Sequence, residues 1–200
     1  NSNDELVILG NTNSADYPTL GAYDNNLNSG GGSSYDLFVT ILSPNGTSLI
    51  ASTFIGGSTD DGYNDMVYFY SDEHRSEVIL DDLDNIYVTS STQSSNFPVT
   101  TGAYDESFNG GQDGVVFKMN STASTLIWST FLGGNNDENA SGIILDDANN
   151  VFVCGMTEGG GFPITSNAIN QVFKGGLNTS GVATNSINVD AFVTKLSNDG

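Results

Sequence analysis

The chemically capable side chains of this chain are few and unevenly spread. One histidine, His74, one cysteine, Cys154, and four Lys or Arg share 200 residues. That inventory is too thin for a nucleophilic triad together with a conventional zinc site. Carboxylates are plentiful instead, with 24 Asp or Glu and a formal net charge of −20. Two adjacent pairs, Asp81–Asp82 and Asp146–Asp147, have the composition of a glycosidase acid and base. The clusters STDDGYND (58–65) and NNDENAS (135–141) carry the hard oxygen donors that calcium takes. A third group is aromatic. GYNDMVYFYSDEHRSE (62–77) gathers Tyr63, Tyr68, Phe69 and Tyr70 with His74 and Arg75, and such faces stack on sugar rings or fill a partner's pocket.

Each group also has a structural explanation. Both Asp pairs sit in the turn-like segments LDDLDN and LDDANN, where a carboxylate that caps a turn needs no catalytic role. Neither acidic cluster has the D-x-D-x-D-G spacing of a calcium loop, and both read as solvated acidic loops that keep the protein soluble. The expectation is therefore no catalytic residue, no metal ligand and no cofactor, with calcium at most a minor stabiliser. Cys154 lies in the apolar run VFVCGM and is expected to be a buried, inert thiol. Tyr63, Tyr68, Phe69, Tyr70, His74 and Arg75 are the expected ligand-binding residues. The rival reading turns Val67 and Phe69 inward as an extra edge strand, with Tyr68 and Tyr70 covering the sheet. Strong negative charge sets aside nucleic acid and anionic membrane as partners, and no run approaches the ~18 apolar residues of a membrane helix.

The elements that position these groups repeat. STFIGG at 52–57 returns as STFLGG at 129–134, and the longer stretches 36–57 and 113–134 align without gaps at nine of 22 identical positions. DAFVTKL (190–196) opens a third copy. A second phrase alternates with the first: LDDLDNIYVTSSTQSSNFPVTTGAYD (80–105) matches LDDANNVFVCGMTEGGGFPITSNAIN (145–170), and LVILGNTNSADYPTLGAYD (6–24) is its truncated relative. Runs of β-branched and aromatic residues bounded by Gly, Asn, Asp and Ser predict four short strands in the complete unit, at 77–82, 85–92, 114–120 and 125–133. Ten strands are predicted in all, as three, four and three. Asp84 and Asn149 are expected in the left-handed conformation that tight hairpins require. No 3.6-residue apolar period persists for three turns, so helices are not expected.

Four antiparallel strands repeated along a chain without helices describe a propeller blade. STFxGG, IxLDDxxNxYVT, FPxTxGAY and DxFVxKL together resemble the repeat of the seven-bladed β-propeller family found in secreted and cell-surface bacterial proteins. The resemblance implies an all-β propeller of four-stranded antiparallel blades, of which about two and a half to three are visible. Residues 1–200 then form one propeller segment with blade parts 1–57, 58–134 and 135–200. Two and a half blades do not close a ring, so other blades of the same parent protein, or further copies of this chain, are expected as partners. The resemblance implies a secreted or cell-surface location and a scaffold without a common catalytic set. The hairpin positions Asp84 and Asn149 depart from the family's usual glycine, and the units are longer than the family's.

The units differ where the chain inserts. Gly57 to Asp81 spans 24 residues against 12 from Gly134 to Asp146, and Pro163 to Asp190 spans 27 against 15 from Pro98 to Asp113. In an up-and-down blade both connections leave from one face, with the tight hairpins on the other. Long loops on one face of a rigid scaffold point to binding. The expected function is a non-catalytic surface module for adhesion or scaffolding, touching a surface polysaccharide or protein partner through that face. A polysaccharide-acting glycosidase or lyase and a lectin-like propeller are the alternatives.

Overall fold

The computed structural model describes residues 1–29, 34–64, 75–175 and 189–200. Every regular element among them is a strand: β1 (Leu6–Thr12), β2 (Asp36–Leu42), β3 (Leu49–Ile55), β4 (Glu77–Leu80), β5 (Ile86–Thr92), β6 (Asp113–Met119), β7 (Leu126–Leu132), β8 (Glu138–Leu145), β9 (Val151–Thr157) and β10 (Asp190–Leu196). They form three antiparallel sheets ordered β1-β2-β3, β4-β5-β6-β7 and β10-β9-β8. The three, four and three strands agree with the repeat reading, within a residue or two at each end.

Tight hairpins form where the turn residues stand. Asp84 has φ 61° and Asn149 φ 59°, the left-handed values expected of them. The first aspartate of each pair makes the turn. Asp81 Oδ1 accepts the Leu83 and Asn85 backbone N–H groups at 2.9 Å each, and Asp146 Oδ1 accepts those of Ala148 and Asn150 at 3.0 and 2.9 Å. The carboxylate stands in for a backbone acceptor, which ends β4 at Leu80 rather than at residue 82.

Side-chain alternation along each strand feeds two cores. In β6, Val115, Phe117 and Met119 face the first sheet, meeting Leu37, Val39 and Ile41 of β2 and Phe131 of β7 in one cluster. Val116 faces the opposite way and joins Tyr87, Trp128 and Leu132 against Ala140, Ile143, Val153 and Phe192 of the third sheet. The middle sheet is thus covered on both faces, and every residue of β5 and β6 is buried. At about 25 cal/mol per Å² of apolar surface, two such interfaces supply the main drive for stacking the sheets.

One expectation fails here for an identifiable reason. Cys154 is exposed rather than buried. It lies on the face of β9 that points away from the middle sheet, along with Ile144 and Val193, which are 65% and 76% exposed. Phe131 lies in the core between the first two sheets, and its counterpart Phe54, also fully buried, lies under the ring of Tyr17 from the loop after β1, with centroids 6.0 Å apart.

Candidate functional site at the seams between sheets

Connections between successive antiparallel strands alternate ends, so the described residues of the longer connections, 13–29, 34–35, 56–64, 75–76, 93–112, 133–137 and 158–175, lie at one end and the hairpins at the other. At the loop end, the STFxGG phrase builds the seam between neighbouring sheets position by position. Thr53 Oγ1 accepts the Asp24 backbone N–H at 2.9 Å and Thr130 Oγ1 accepts that of Asp105 at 2.8 Å. The two GAYD segments are thereby laid along the outer strands, where the Phe54 and Phe131 N–H groups donate to the Asp24 and Asp105 carbonyls. Tyr17 and Phe97 cover the phenylalanines.

The paired glycines are required by close approach, not by handedness. A Cβ on Gly56 would lie 2.7 Å from both Asp36 Cγ and Asp61 Oδ2, and one on Gly133 would fall against Asp113 Oδ1 and 2.8 Å from Glu138 Oε2. Behind the second glycine stands the next repeat: a Gly57 Cβ would meet Ser94 Cβ at 2.5 Å, and a Gly134 Cβ the Phe162 N at 2.5 Å. The phrase recurs because a pair of acids and an incoming loop recur.

Asp61 and Glu138 overturn part of the reading of 58–65 and 135–141 as solvated loops: Ser58, Thr59, Asn135 and Asn136 are exposed, whereas the two acids are not, and residue 65 lies outside the described residues. Asp36, Asp61, Asp113 and Glu138 are each 0% exposed, and Glu138, Asn139 and Ala140 belong to β8. Asp61 Oδ2 accepts the Gly57 N–H at 2.7 Å and the Ser94 hydroxyl at 3.1 Å, while Thr92 donates to its Oδ1. Glu138 repeats the pattern, accepting the Gly134 N–H at 2.7 Å and the Thr157 hydroxyl at 2.6 Å. Asp36 and Asp113 anchor the other side, taking backbone N–H groups of Asn28 and Ser29, and of Asn109. Asp113 Oδ1 is buried without a partner. Burial pushes Asp61 and Asp113 up to about 7 against the hydrogen bonds they accept, with the neighbouring acid adding to the rise. Glu138 and Asp36 are raised for the same first reason. Asp61 and Asp113 are thereby brought to titrate near neutrality, each beside a second buried acid that is also raised.

Above each pair opens a polar cavity on the loop face. One, of ≈ 580 Å³, is lined by Tyr23, Asp24, Asn28, Gly56, Asn96 and Pro98. The other, of ≈ 280 Å³, is lined by Tyr104, Asp105, Asn109, Gly133, Gly161 and Pro163, with Gly134 and Asn135. The six positions correspond one to one between repeats, Asn96 being replaced by Gly161. The recurrence of GAYD and FP alongside STFxGG is the sequence signal that could have located these cavities.

The expected binding residues are only partly placed. Tyr63 is half-buried and Arg75 exposed, while Tyr68, Phe69, Tyr70 and His74, and the rival inward pair Val67 and Phe69, lie outside the described residues. Among the described residues no three His, Cys, Asp or Glu side chains converge tightly enough to hold a metal ion, and no helix is long and apolar enough to cross a membrane.

Stacked antiparallel sheets of up to four strands, joined through repeated seams, define a module of β-propeller blades. The family model described as "Beta-propeller repeat" matches residues 127–163, and with the sheet arrangement it supports a β-propeller repeat family. The match runs from β7 through STFLGG, β8 and β9 to Pro163, the stretch that builds the second seam. No curated protein matches the chain.

Proposed function

We propose that this chain is a non-catalytic propeller module of a secreted or cell-surface protein, serving adhesion or scaffolding through its loop face. The observation that carries the reading is the pair of corresponding cavities, each set between two sheets and lined by a tyrosine, an aspartate and an asparagine. Such linings offer an aromatic face beside fixed donors and acceptors, the combination that suits hydroxylated ligands such as surface polysaccharide. Repetition of the site at a fixed period favours multivalent binding, where linked weak sites add avidity. An enzyme would hold one substrate-accessible acid pair, and here the paired acids lie buried under glycine and serve the loop backbone at both seams. Further blades, from the same parent or another copy, would extend the series.

The test is binding of the purified protein to a panel of bacterial and host polysaccharides, with products analysed in parallel. The proposal expects binding without cleavage, weakened at least tenfold in a Tyr23→Ala/Tyr104→Ala double variant of unchanged melting temperature. Cleavage of a bound glycan would replace it with the enzyme reading, and undiminished binding in the double variant would move the site off the cavities.

A further inference from the structure

Among the described residues no strand pairs with the outer side of β10, whereas its counterparts β2 and β6 carry β3 and β7 there. Those two outer strands hold the STFIGG and STFLGG phrases. An uncovered edge presents a row of backbone N–H and C=O groups ready to pair with another strand. Ala191, Val193 and Lys195 of β10 are also exposed, while β2 and β6 have no exposed residue.

The loop that lies along β7 in the middle sheet has a counterpart in the third sheet that is already folded the same way. The Ala103 N–H donates to the Thr100 carbonyl at 3.1 Å, and the Ala168 N–H to that of Thr165 at 3.0 Å. The Asn109 N–H reaches Asp113 Oδ2 at 2.9 Å, and the Lys174 N–H reaches Asp190 Oδ2 at 2.7 Å. Turn and anchor thus stand in place beside an edge with no outer strand.

What differs is what the loop covers. In the middle sheet the ring of Phe131 meets both Phe97, at 6.4 Å between centroids, and Phe108, at 5.8 Å. The corresponding residues of the third sheet are Phe162 and Phe173. Phe162 lies 4.4 Å from Phe192 of β10, and Phe173 is 36% exposed. Val99, which packs against the first core, corresponds to Ile164, which is 47% exposed. The apolar side chains that elsewhere close over an outer strand are present here and face solvent.

We propose that the outer edge of β10 is an acceptor site for one added antiparallel strand of the Ser-Thr-Phe-x-Gly-Gly type, with Phe162 and Phe173 closing over its phenylalanine. The occupant is a strand other than β3 and β7, which are paired within their own sheets. The registers Phe38↔Phe54 and Val115↔Phe131 set the incoming phenylalanine opposite Phe192. Its first glycine then falls beside Asp190, as Gly56 and Gly133 fall beside Asp36 and Asp113, where a methyl group would strike the carboxylate. Main-chain hydrogen bonds supply affinity in such strand addition, and the pockets for alternate side chains supply specificity. Because the turn and anchor are formed beforehand, little ordering of the acceptor opposes binding.

The test does not depend on what the cavities bind. The purified chain is titrated with the peptide LIWSTFLGG, the sequence of 126–134, made soluble by a C-terminal lysine tail. Saturable one-to-one binding is expected, with a melting temperature that rises with peptide concentration and amide exchange slowed along β10. Phe131→Ala or Gly133→Ala in the peptide is expected to weaken binding about tenfold or more, and Phe173→Ala in the protein likewise. No binding, binding equal to that of a scrambled peptide with the same tail, or protection away from β10 would overturn the proposal. A chain that pairs with a second copy along this edge and leaves the peptide unbound would overturn it too, making the copy the occupant. The peptide variants decide the matter even where the protein variant fails to fold.

Discussion

Raising the pH should weaken this fold across neutrality, and Asp61 measures the effect most cleanly. Its carboxyl moves from the ordinary 3.8 to about 7 on folding, chiefly through burial, with Asp36 adding to the rise. The folded state therefore binds a proton that the unfolded chain has already released between those values. Stability from this group is full below the ordinary value, is lost as pH climbs towards about 7, and is flat above it. At 1.36 kcal/mol per pKa unit the span is about 4 kcal/mol, an upper bound because Asp36 and Asp61 titrate as a pair. Asp24 faces the same pair, while Asp105, Asp137 and Glu158 face its counterpart at Asp113 and Glu138, so surrounding charge adds to the trend at both seams. Asp81, Asp84, Asp146 and Asp199 are shifted down, and what they contribute is lost only on the acid side of the ordinary carboxylate range. Urea unfolding between about pH 5 and pH 8 should show stability falling with pH. Asp61→Asn removes this titration, so its slope should be shallower by about one proton. A wild-type stability that is level or rising over that interval, or an Asp61→Asn slope equal to the wild-type slope, would refute the reasoning that burial raises the Asp61 carboxyl.

Two further outcomes are expected. Phe131→Ala, at a position 1% exposed in the core between the first two sheets, should cost about 3–5 kcal/mol in chemical unfolding, and an unchanged midpoint would contradict that packing. Replacing 65–74 with a short Gly-Ser link should leave the fold intact, because the corresponding connection from Gly134 to Asp146 is 12 residues shorter than that from Gly57 to Asp81. Circular dichroism and the polysaccharide panel would read the two consequences separately: lost binding with folding retained assigns recognition to that loop, and retained binding removes it from the site.

Much of the scaffold was legible in the residues. β-branched runs punctuated by Asn, Asp and Gly located ten strands, because a strand buried on both faces reads as an apolar run whatever surrounds it. The hairpins were legible through Asp81 and Asp146, whose chemistry is local. The seam acids were not. Asp61 and Glu138 occupy corresponding places but differ in type, and each sits among residues that look like a solvated loop. Their burial comes from the next sheet, which no local window contains. Cys154 misled for the converse reason. Its apolar neighbours suit a core strand, yet the residues facing the middle sheet are Val151 and Val153. The aromatic insertion stood out by composition, whereas the cavities are made of repeated, ordinary residues that acquire a common purpose only when STFxGG, GAYD and FP meet in space.

The central claim is that the glycines of STFxGG persist because buried acid pairs occupy the space where side chains would otherwise go. A double-mutant cycle on Gly133 and Asp113, followed by chemical unfolding, tests it most directly. Gly133→Ala in the wild-type background should cost about 1–3 kcal/mol, the usual penalty for overpacking. In an Asp113→Ala background, where the obstructing carboxylate is gone, the same change should cost less by an interaction energy of at least about 0.5 kcal/mol. An equal cost in both backgrounds would show that the glycine answers to something other than the acid beneath it.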